Sequence, residues 1–169
     1  SKARARIQRE NPFYREVTIN EIYAQMTEDG VLSKQESQIM MQEEIDLEYR
    51  FCRRRKAGYE IYEFAKRCGK QIACISDMYL PRDVIKHILE SAGYTDVDYL
   101  FISSEERVCK YDGKLFDVFL KKTGLLAKEV MHFGDNYVSD CLAARKANVF
   151  ADENITYIPS ARELLTGSC

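Results

Sequence analysis

The sequence predicts a doubly wound α/β sheet, preceded by a small helical unit. From Gly58 onward, short apolar runs typical of buried parallel strands alternate with helical segments. The first 57 residues contain no good strand candidate and carry two helix-capping motifs. We therefore divide the chain into a helical segment at residues 1–57 and an α/β core at residues 58–169.

Two capping boxes organise the helical segment. Thr18-x-x-Glu21 predicts a short helix that ends at Asp29-Gly30, and Ser33-x-x-Glu36 predicts a long one. The apolar residues of the long helix roughly follow the helical period; they are Ile39, Met40, Ile45, Leu47 and Phe51.

Glycine and proline mark the limits of several core helices. Gly69 and Gly124 are typical of helix C-termini, and Pro81 suits a first helical turn. The core elements predicted in chain order are a helix at 61–68, a strand at 71–76, a helix from 81 to about 93, a strand at 98–103, a helix at 115–122, a strand at 130–134, a helix at 138–147, a strand at 148–151, a weaker strand at 156–158 and a helix at 161–165.

Composition excludes several classes of partner. The chain has 169 residues and a net charge of −2, with 25 basic and 27 acidic residues, so nothing favours nucleic acid or an anionic membrane. No apolar run approaches the roughly 18 residues of a membrane span. We expect no signal peptide, because the basic residues 1–10 lack the apolar stretch that such a signal needs. The six cysteines are scattered without a Cys-x-x-Cys pair, which favours reduced thiols in a cytoplasmic protein and argues against zinc.

Ser76 and Asp77 lie where the first predicted core strand ends. Ligands of open parallel sheets bind at the carboxyl ends of strands. The Ser76 hydroxyl and the backbone N–H groups that follow it could hold a phosphate oxygen, which makes both residues phosphate-binding candidates. Taken alone, Ser76 is as well explained as a cap for the turn before Pro81.

Lys110 follows the next strand after a loop. A lysine in this position can reach back over the strand ends and neutralise a phosphoryl group or a carboxylate. Alone, a solvated loop lysine is the better explanation, and Lys114 is a competitor that falls at the predicted start of a helix.

Gly134-Asp135-Asn136-x-x-Ser139-Asp140 is the strongest local signal. Asp135 comes directly after a predicted buried strand and a glycine, at the rim of the sheet. Mg²⁺ takes one or two protein carboxylates and keeps several waters. Asp135 is the natural metal ligand, and Asp140 could bind the metal or orient its waters. The alternative is that both residues are turn and helix caps.

These three elements, in this order and spacing, resemble the motifs of the haloacid dehalogenase superfamily of phosphohydrolases. Ser76 matches the second motif, Lys110 the third, and Gly134-Asp135 with Asp140 the fourth. The resemblance covers residues from about 15 to 152, and the segment before Gly58 is similar to the superfamily's small helical cap. It implies a Rossmannoid parallel sheet with helices on both faces, and a Mg²⁺-dependent site.

The resemblance also implies a substrate and a mechanism. The sequences from Ile75 to Pro81 and from Gly134 to Asp140 are similar to those of a bacterial subgroup of predicted hydrolases. Members of that subgroup are sometimes joined to glycosyltransferases. The substrate would then be a small phosphorylated metabolite, for instance a sugar phosphate. In the family an aspartate attacks phosphorus, and water hydrolyses the resulting aspartyl phosphate, with Lys110 and Asp135 as the catalytic residues of this chain.

The family's first motif, an Asp-x-Asp that ends the first strand and supplies the nucleophile, has no match. The one Asp-x-Asp, Asp96-Val97-Asp98, precedes a strand instead of ending one. We therefore expect a sheet that lacks its first, central strand, and a chain without turnover. Phosphotransfer in place of hydrolysis stays open.

A missing central strand leaves unpaired inner edges on the strands at 71–76 and 130–134, and such edges are costly. The two strands could pair directly, a neighbouring chain could fill the space, or a cleft could remain. Oligomerisation through the unpaired edge is therefore an expected form of association.

Other classes of protein are open at this point. The chain could be a non-catalytic binding or regulatory module associated with a glycosyltransferase. A nucleotide-binding Rossmann domain is disfavoured because no Gly-x-Gly-x-x-Gly turn follows a strand, and the helical segment and the Gly-Asp-Asn motif disfavour a response-regulator receiver. The basic run Arg53-Arg54-Arg55-Lys56 fits a solvated helix end or a contact to an anionic substrate.

Overall fold

The computed structural model describes residues 2–152. Three helices make up the helical segment: α1 (Lys2–Glu10), α2 (Ile19–Glu28) and α3 (Lys34–Phe51). Both predicted capping boxes are present, with the Thr18 and Ser33 side chains accepting from the backbone N–H groups of Glu21 and Glu36. The sequence therefore located the starts of α2 and α3 correctly.

The α/β part follows the predicted alternation of elements. Helix α4 begins at Lys56, two residues before the division placed at Gly58. The elements are α4 (Lys56–Arg67), β1 (Ala73–Ser76), α5 (Arg82–Ser91), β2 (Tyr99–Ile102), a short α6 (Ser103–Glu106), α7 (Lys114–Thr123), a 3₁₀ turn (Ala127–Glu129), β3 (Met131–Phe133), a π-helical turn (Tyr137–Leu142) that continues into α8 (Ala143–Lys146), and β4 (Phe150–Asp152). The strand predicted at 156–158 and the helix at 161–165 lie outside the described residues.

The strands form two separate parallel pairs. Strand β1 pairs with β2, with Ser76 opposite Ile102, and β3 pairs with β4, with Met131 opposite Phe150. Within residues 2–152, β1 and β3 do not pair with each other. Direct pairing of these two strands, one of the arrangements expected for a sheet without its central strand, is therefore not found in residues 2–152. Oligomerisation through their unpaired edges stays a prediction.

A single apolar cluster nevertheless joins the two pairs. Ile75 of β1 and Phe101 of β2 belong to the same buried cluster as Val149, which lies next to β4. The other members come from the helices around them; they are Leu115, Phe116, Phe119, Ala143, Ala144 and Ala147. Burial of these side chains holds the strand ends of both pairs in one body.

One face of the β3–β4 pair is not covered by the part of the chain that the structure describes. Met131 and Phe150 are 59% and 61% exposed, and Phe133 is 36% exposed. The strand predicted at 130–134 is present, but the prediction that it is buried is wrong for residues 2–152. His132 points the other way and packs edge-on against Phe116, with ring centroids 4.9 Å apart.

Helix α3 packs with one side and exposes the other. Of the apolar residues that the sequence placed at helical spacing, Ile45 packs against a second buried cluster of α2, α5 and the β1 loop. The other four are exposed: Ile39, Met40, Leu47 and Phe51. No helix among residues 2–152 is both long enough and apolar enough to cross a membrane. The five cysteines in this range are free thiols.

A carboxylate on α3 ties the helical segment to the loop after β1. The hydroxyls of Tyr23 and Tyr79 donate to the two oxygens of Glu44, each at 2.7 Å. Burial and the nearby carboxylate raise the pKa of Tyr23 to about 12 and also raise the pKa of Tyr79, so both hydroxyls remain donors near neutral pH. The loop that follows Ser76 is therefore fixed against α2 and α3.

We expect Glu44→Ala to lower the free energy of unfolding by about 1–3 kcal/mol, because it leaves two partly buried hydroxyls without their acceptor. The measurement is urea unfolding followed by circular dichroism. Glu43→Ala is the matched control, since Glu43 is exposed on the same helix and should change stability by less than about 0.5 kcal/mol. Equal effects of the two substitutions would show that the tyrosine contacts do not stabilise the fold.

Candidate functional site

The predicted site residues come from both strand pairs. Ser76 is the last residue of β1, and Lys110 follows β2 after α6. Asp135 and Asp140 follow β3, with Asp140 inside the π-helical turn. The Asn136 side chain accepts from the N–H groups of Val138 and Ser139, which starts that turn and leaves Asp135 in the preceding loop.

Asp140 is the centre of the polar contacts at this site. Its Oδ1 accepts from Lys110 Nζ at 2.6 Å and lies 3.1 Å from His132 Nε2. Its Oδ2 accepts from the backbone N–H of Asn136 at 3.0 Å. The side chains of Lys110 and Asp140 are only 13% and 5% exposed. The structure thus brings Lys110 and Asp140 together as a buried ion pair between the two strand pairs.

These contacts keep Asp140 ionised. Burial by itself raises the pKa of the Asp140 carboxyl, but the His132 hydrogen bond, the Lys110 ammonium and the Asn136 N–H together hold it well below its usual range. Asp140 therefore remains an anion at neutral pH and fixes the position of the Lys110 ammonium.

Gly134 allows Asp140 to come this close to the chain. A Cβ added at Gly134 would overlap the carboxyl carbon and Oδ2 of Asp140. The Gly-Asp motif thus has a steric cause in this chain: the carboxylate of Asp140 occupies the space where a side chain at 134 would be.

Asp77 fixes the backbone of the Lys110 loop. Its Oδ1 accepts from the Lys110 backbone N–H at 2.8 Å. Burial raises the pKa of Asp77 above its ordinary value, although the Lys110 N–H and ammonium oppose that shift. The carboxylate of Asp77 therefore positions Lys110. The phosphate-binding role of Ser76 and Asp77 stays a prediction.

The helical segment holds the same loop from the other side. Arg107, whose φ of 59° is left-handed, donates to both oxygens of Glu21 at 2.7 and 2.8 Å. Glu21 also closes the capping box of α2. The N-terminus of α2 and the Lys110 loop are therefore linked by a bidentate ion pair.

Asp135 contacts a residue from the junction of the helical segment and the core. Its Oδ2 lies 2.7 Å from the Arg55 guanidinium, and the two side chains are 43% and 50% exposed. Arg55 was singled out in the sequence only as part of a basic run. Its contact with Asp135 shows that this run reaches the strand-end site.

His132 also belongs to the site, although no sequence motif had selected it. It lies in β3, and its Nε2 is 3.1 Å from Asp140. A titratable side chain in a short apolar strand requires a polar partner when it is buried. That requirement, together with the Asp eight residues later, was a usable signal.

The donor set fits a weakly held Mg²⁺ better than a metal cage. Residues 2–152 contain no group of three or more His, Cys, Asp or Glu side chains placed to hold a metal. Asp135 offers one half-exposed carboxylate. Mg²⁺ usually keeps several of its waters and is held by only one or two protein carboxylates. Both Asp140 oxygens already accept hydrogen bonds, so its metal role stays a prediction beside its observed contact with Lys110.

Comparisons with known proteins bear on the fold of the chain. No family model matches the chain. The haloacid dehalogenase-like hydrolase domain-containing protein 3 of Danio rerio is 33% identical over 66 residues. That match covers 38% of this chain and only 27% of the relative.

Solved structures show the same fold. The HAD-hydrolase YfnB of Bacillus subtilis, in a form bound to magnesium, matches with a TM-score of 0.60 at 12% identity, over 88% of this chain and 69% of that one. The L-2-haloacid dehalogenase of Xanthobacter autotrophicus, with chloropropionic acid covalently bound, matches with a TM-score of 0.60 at 16% identity, over 96% and 69%.

The chain is an α/β protein that shares the parallel-sheet fold of these solved structures. Its fold is the fold of the haloacid dehalogenases, and its sequence match to the Danio rerio relative is confined to 66 residues. The predicted α/β class is confirmed.

Proposed function

We propose that this chain forms the cap and most of the core of a Mg²⁺-dependent phosphohydrolase that acts on a small phosphorylated metabolite, such as a sugar phosphate. The observation that carries the proposal is the buried Lys110–Asp140 pair at 2.6 Å. This pair holds the ammonium of Lys110, which follows β2 in the chain, near the carboxyl end of β3 and the loop that carries Asp135.

Each residue has a role in this proposal. The Ser76 hydroxyl and the adjacent backbone N–H groups bind a phosphoryl oxygen. The Lys110 ammonium, held by Asp140 and by the Asp77 contact to its backbone, neutralises phosphoryl charge. Asp135 holds Mg²⁺, which supplies further charge neutralisation when bound. The nucleophile comes from a strand of the intact protein that lies between β1 and β3.

The test is phosphate release by the protein encoded by the complete gene, including the coding sequence upstream of Ser1. We expect Mg²⁺-dependent turnover of phosphorylated sugars. Lys110→Met and Asp135→Asn should each lower kcat by at least about 10²-fold, the scale of losing one electrostatic contact in a transition state. Lys114→Met is the matched control, because Lys114 lies nearby with its side chain 54% exposed.

Residues 1–169 alone are expected to show no measurable turnover. A Mg²⁺-dependent rate from this chain that disappears in Asp135→Ala would contradict the assignment of the nucleophile to another strand. Full activity of Lys110→Met in the complete protein would contradict the role of Lys110.

A second candidate is a non-catalytic binding or regulatory module associated with a glycosyltransferase. The observation that favours it is that β1 and β3 do not pair within the described residues, while no Asp-x-Asp ends a strand there. The upstream coding sequence discriminates: an Asp-x-Asp strand supports the enzyme, and a sequence without one supports the module.

A further inference from the structure

The basic run between α3 and α4 places its four side chains differently. Arg53 donates to the carbonyl of the preceding residue, Cys52, at 2.8 Å. The Arg54 guanidinium lies over the ring of Tyr59, 4.0 Å from its centroid. Arg54 also donates to the carbonyl of Ala92, at the end of α5, at 3.5 Å. None of these contacts involves the strand-end residues.

The other two members differ in what they reach. Lys56 is 91% exposed and lies 3.8 Å from Glu60, one turn along its own helix. Arg55 reaches across to the core and contacts Asp135 at 2.7 Å. Arg55 is therefore the member of the run whose contacts include the strand-end site.

The Arg55–Asp135 contact is open to solvent. Its side chains are 50% and 43% exposed, and ion pairs of this exposure contribute about 0–1 kcal/mol. Separating this one ion pair therefore costs little. Separating the buried Lys110–Asp140 pair costs more, because it leaves an uncompensated charge.

The negative charge of a bound phosphoryl group favours a second cation at the site. A phosphoryl group brings about two negative charges, and the single Lys110 ammonium, whose charge is shared with Asp140, does not balance both. Guanidinium groups bind phosphate oxygens in a bidentate manner, which an ammonium cannot do. Arg55 is a cation of this kind within reach of the loop that carries Asp135.

We propose that Arg55 is a specificity-determining residue that binds the anionic group of the substrate. Its guanidinium moves from Asp135 to the substrate's phosphate oxygens when Asp135 binds a cation. This inference rests on the proposed function, and it adds that the junction of helical segment and core takes part in anion recognition.

The experiment is a titration of residues 1–169 with inorganic phosphate in saturating Mg²⁺, followed by NMR chemical shifts. We expect Arg55→Ala to weaken phosphate binding about tenfold, the loss of one charged hydrogen bond. Arg55→Lys should have an intermediate effect, because it keeps the charge and loses the planar fork. Arg53→Ala is the matched control: it removes the same charge two positions away in the chain and should leave phosphate binding unchanged.

A second measurement does not depend on phosphate. Titration with Mn²⁺, followed by electron paramagnetic resonance, should show a severalfold tighter site in Arg55→Ala, because a competing cation beside Asp135 has been removed. Arg53→Ala should match the unsubstituted chain, and Asp135→Asn should abolish the site. Unchanged Mn²⁺ affinity in Arg55→Ala would overturn the exchange between partners.

The remaining outcomes separate this inference from the proposed function. Equal phosphate affinity in Arg55→Ala and the unsubstituted chain, with binding lost in Lys110→Met, overturns the role of Arg55 and leaves the phosphate site standing. An equal loss in Arg55→Ala and Arg53→Ala indicates general charge attraction and also overturns it. If the unsubstituted chain binds no phosphate in saturating Mg²⁺, both this inference and the proposed phosphate site fail.

Discussion

Asp140→Ala is expected to lower the free energy of unfolding by about 3–5 kcal/mol, the cost of removing one partner from a buried ion pair. The side chain is 5% exposed, and its loss leaves the Lys110 ammonium and the Asn136 N–H without their acceptor. The measurement is urea unfolding at neutral pH. Asp135→Ala is the matched control, because that carboxylate is 43% exposed and should change stability by less than about 1 kcal/mol.

The same residue predicts a pH dependence with a definite sign. Because the folded-state pKa of Asp140 is lowered, its contribution is fully present above the unfolded-state pKa of about 4 and is lost as pH falls below that value. We expect the unsubstituted chain to lose stability between about pH 5 and pH 3 more steeply than Asp140→Asn. Parallel pH profiles for the two proteins, or equal stability of Asp140→Ala and Asp135→Ala at pH 7, would contradict the importance of this pair.

Gly134→Ala should be nearly as damaging, although it adds a single methyl group. The new Cβ would overlap the Asp140 carboxyl group, and the carboxylate can move away only by leaving Lys110 and His132. We expect a loss of about 2–4 kcal/mol in the free energy of unfolding, from overpacking combined with a disturbed buried ion pair. Thermal unfolding followed by circular dichroism measures it.

Gly58→Ala is the control for glycine replacement in general. Gly58 lies in α4, and a Cβ there would meet only the Tyr94 hydroxyl at an ordinary distance of 3.6 Å. Alanine in a helix is favoured over glycine, so we expect a gain of about 0.5–1 kcal/mol. If Gly134→Ala were as stable as the unsubstituted chain, Asp140 would not be held where the structure places it.

The sequence predicted the parts of this fold that local patterns determine. The capping boxes at Thr18 and Ser33 and the end of β1 at Ser76 are fixed by short-range hydrogen bonding and by the period of apolar residues. The exposed face of β3 was not predictable in this way, because burial of Met131 depends on elements far away in the sequence. A run of apolar residues looks the same whether one face or both are covered.

The candidate site shows the same limit. Strand-end position alone did not select Ser76 or Lys110, because each also fits an ordinary turn or loop role. The order and spacing of the three elements selected them together with Asp135. The pairing of Lys110 with Asp140 and the reach of Arg55 to Asp135 required the packing of the two strand pairs, since these partners are separated by 30 and 80 positions in the chain.

The division of the strands into two pairs has a consequence for the order of folding. The segment from β1 to β2 and the segment from β3 to β4 are each short and continuous in the chain, so each pair forms from contacts of low sequence separation. The Lys110–Asp140 pair joins two such locally closed units. We therefore expect this ion pair to be among the last contacts of the native chain to form and among the first to be lost in a partial opening.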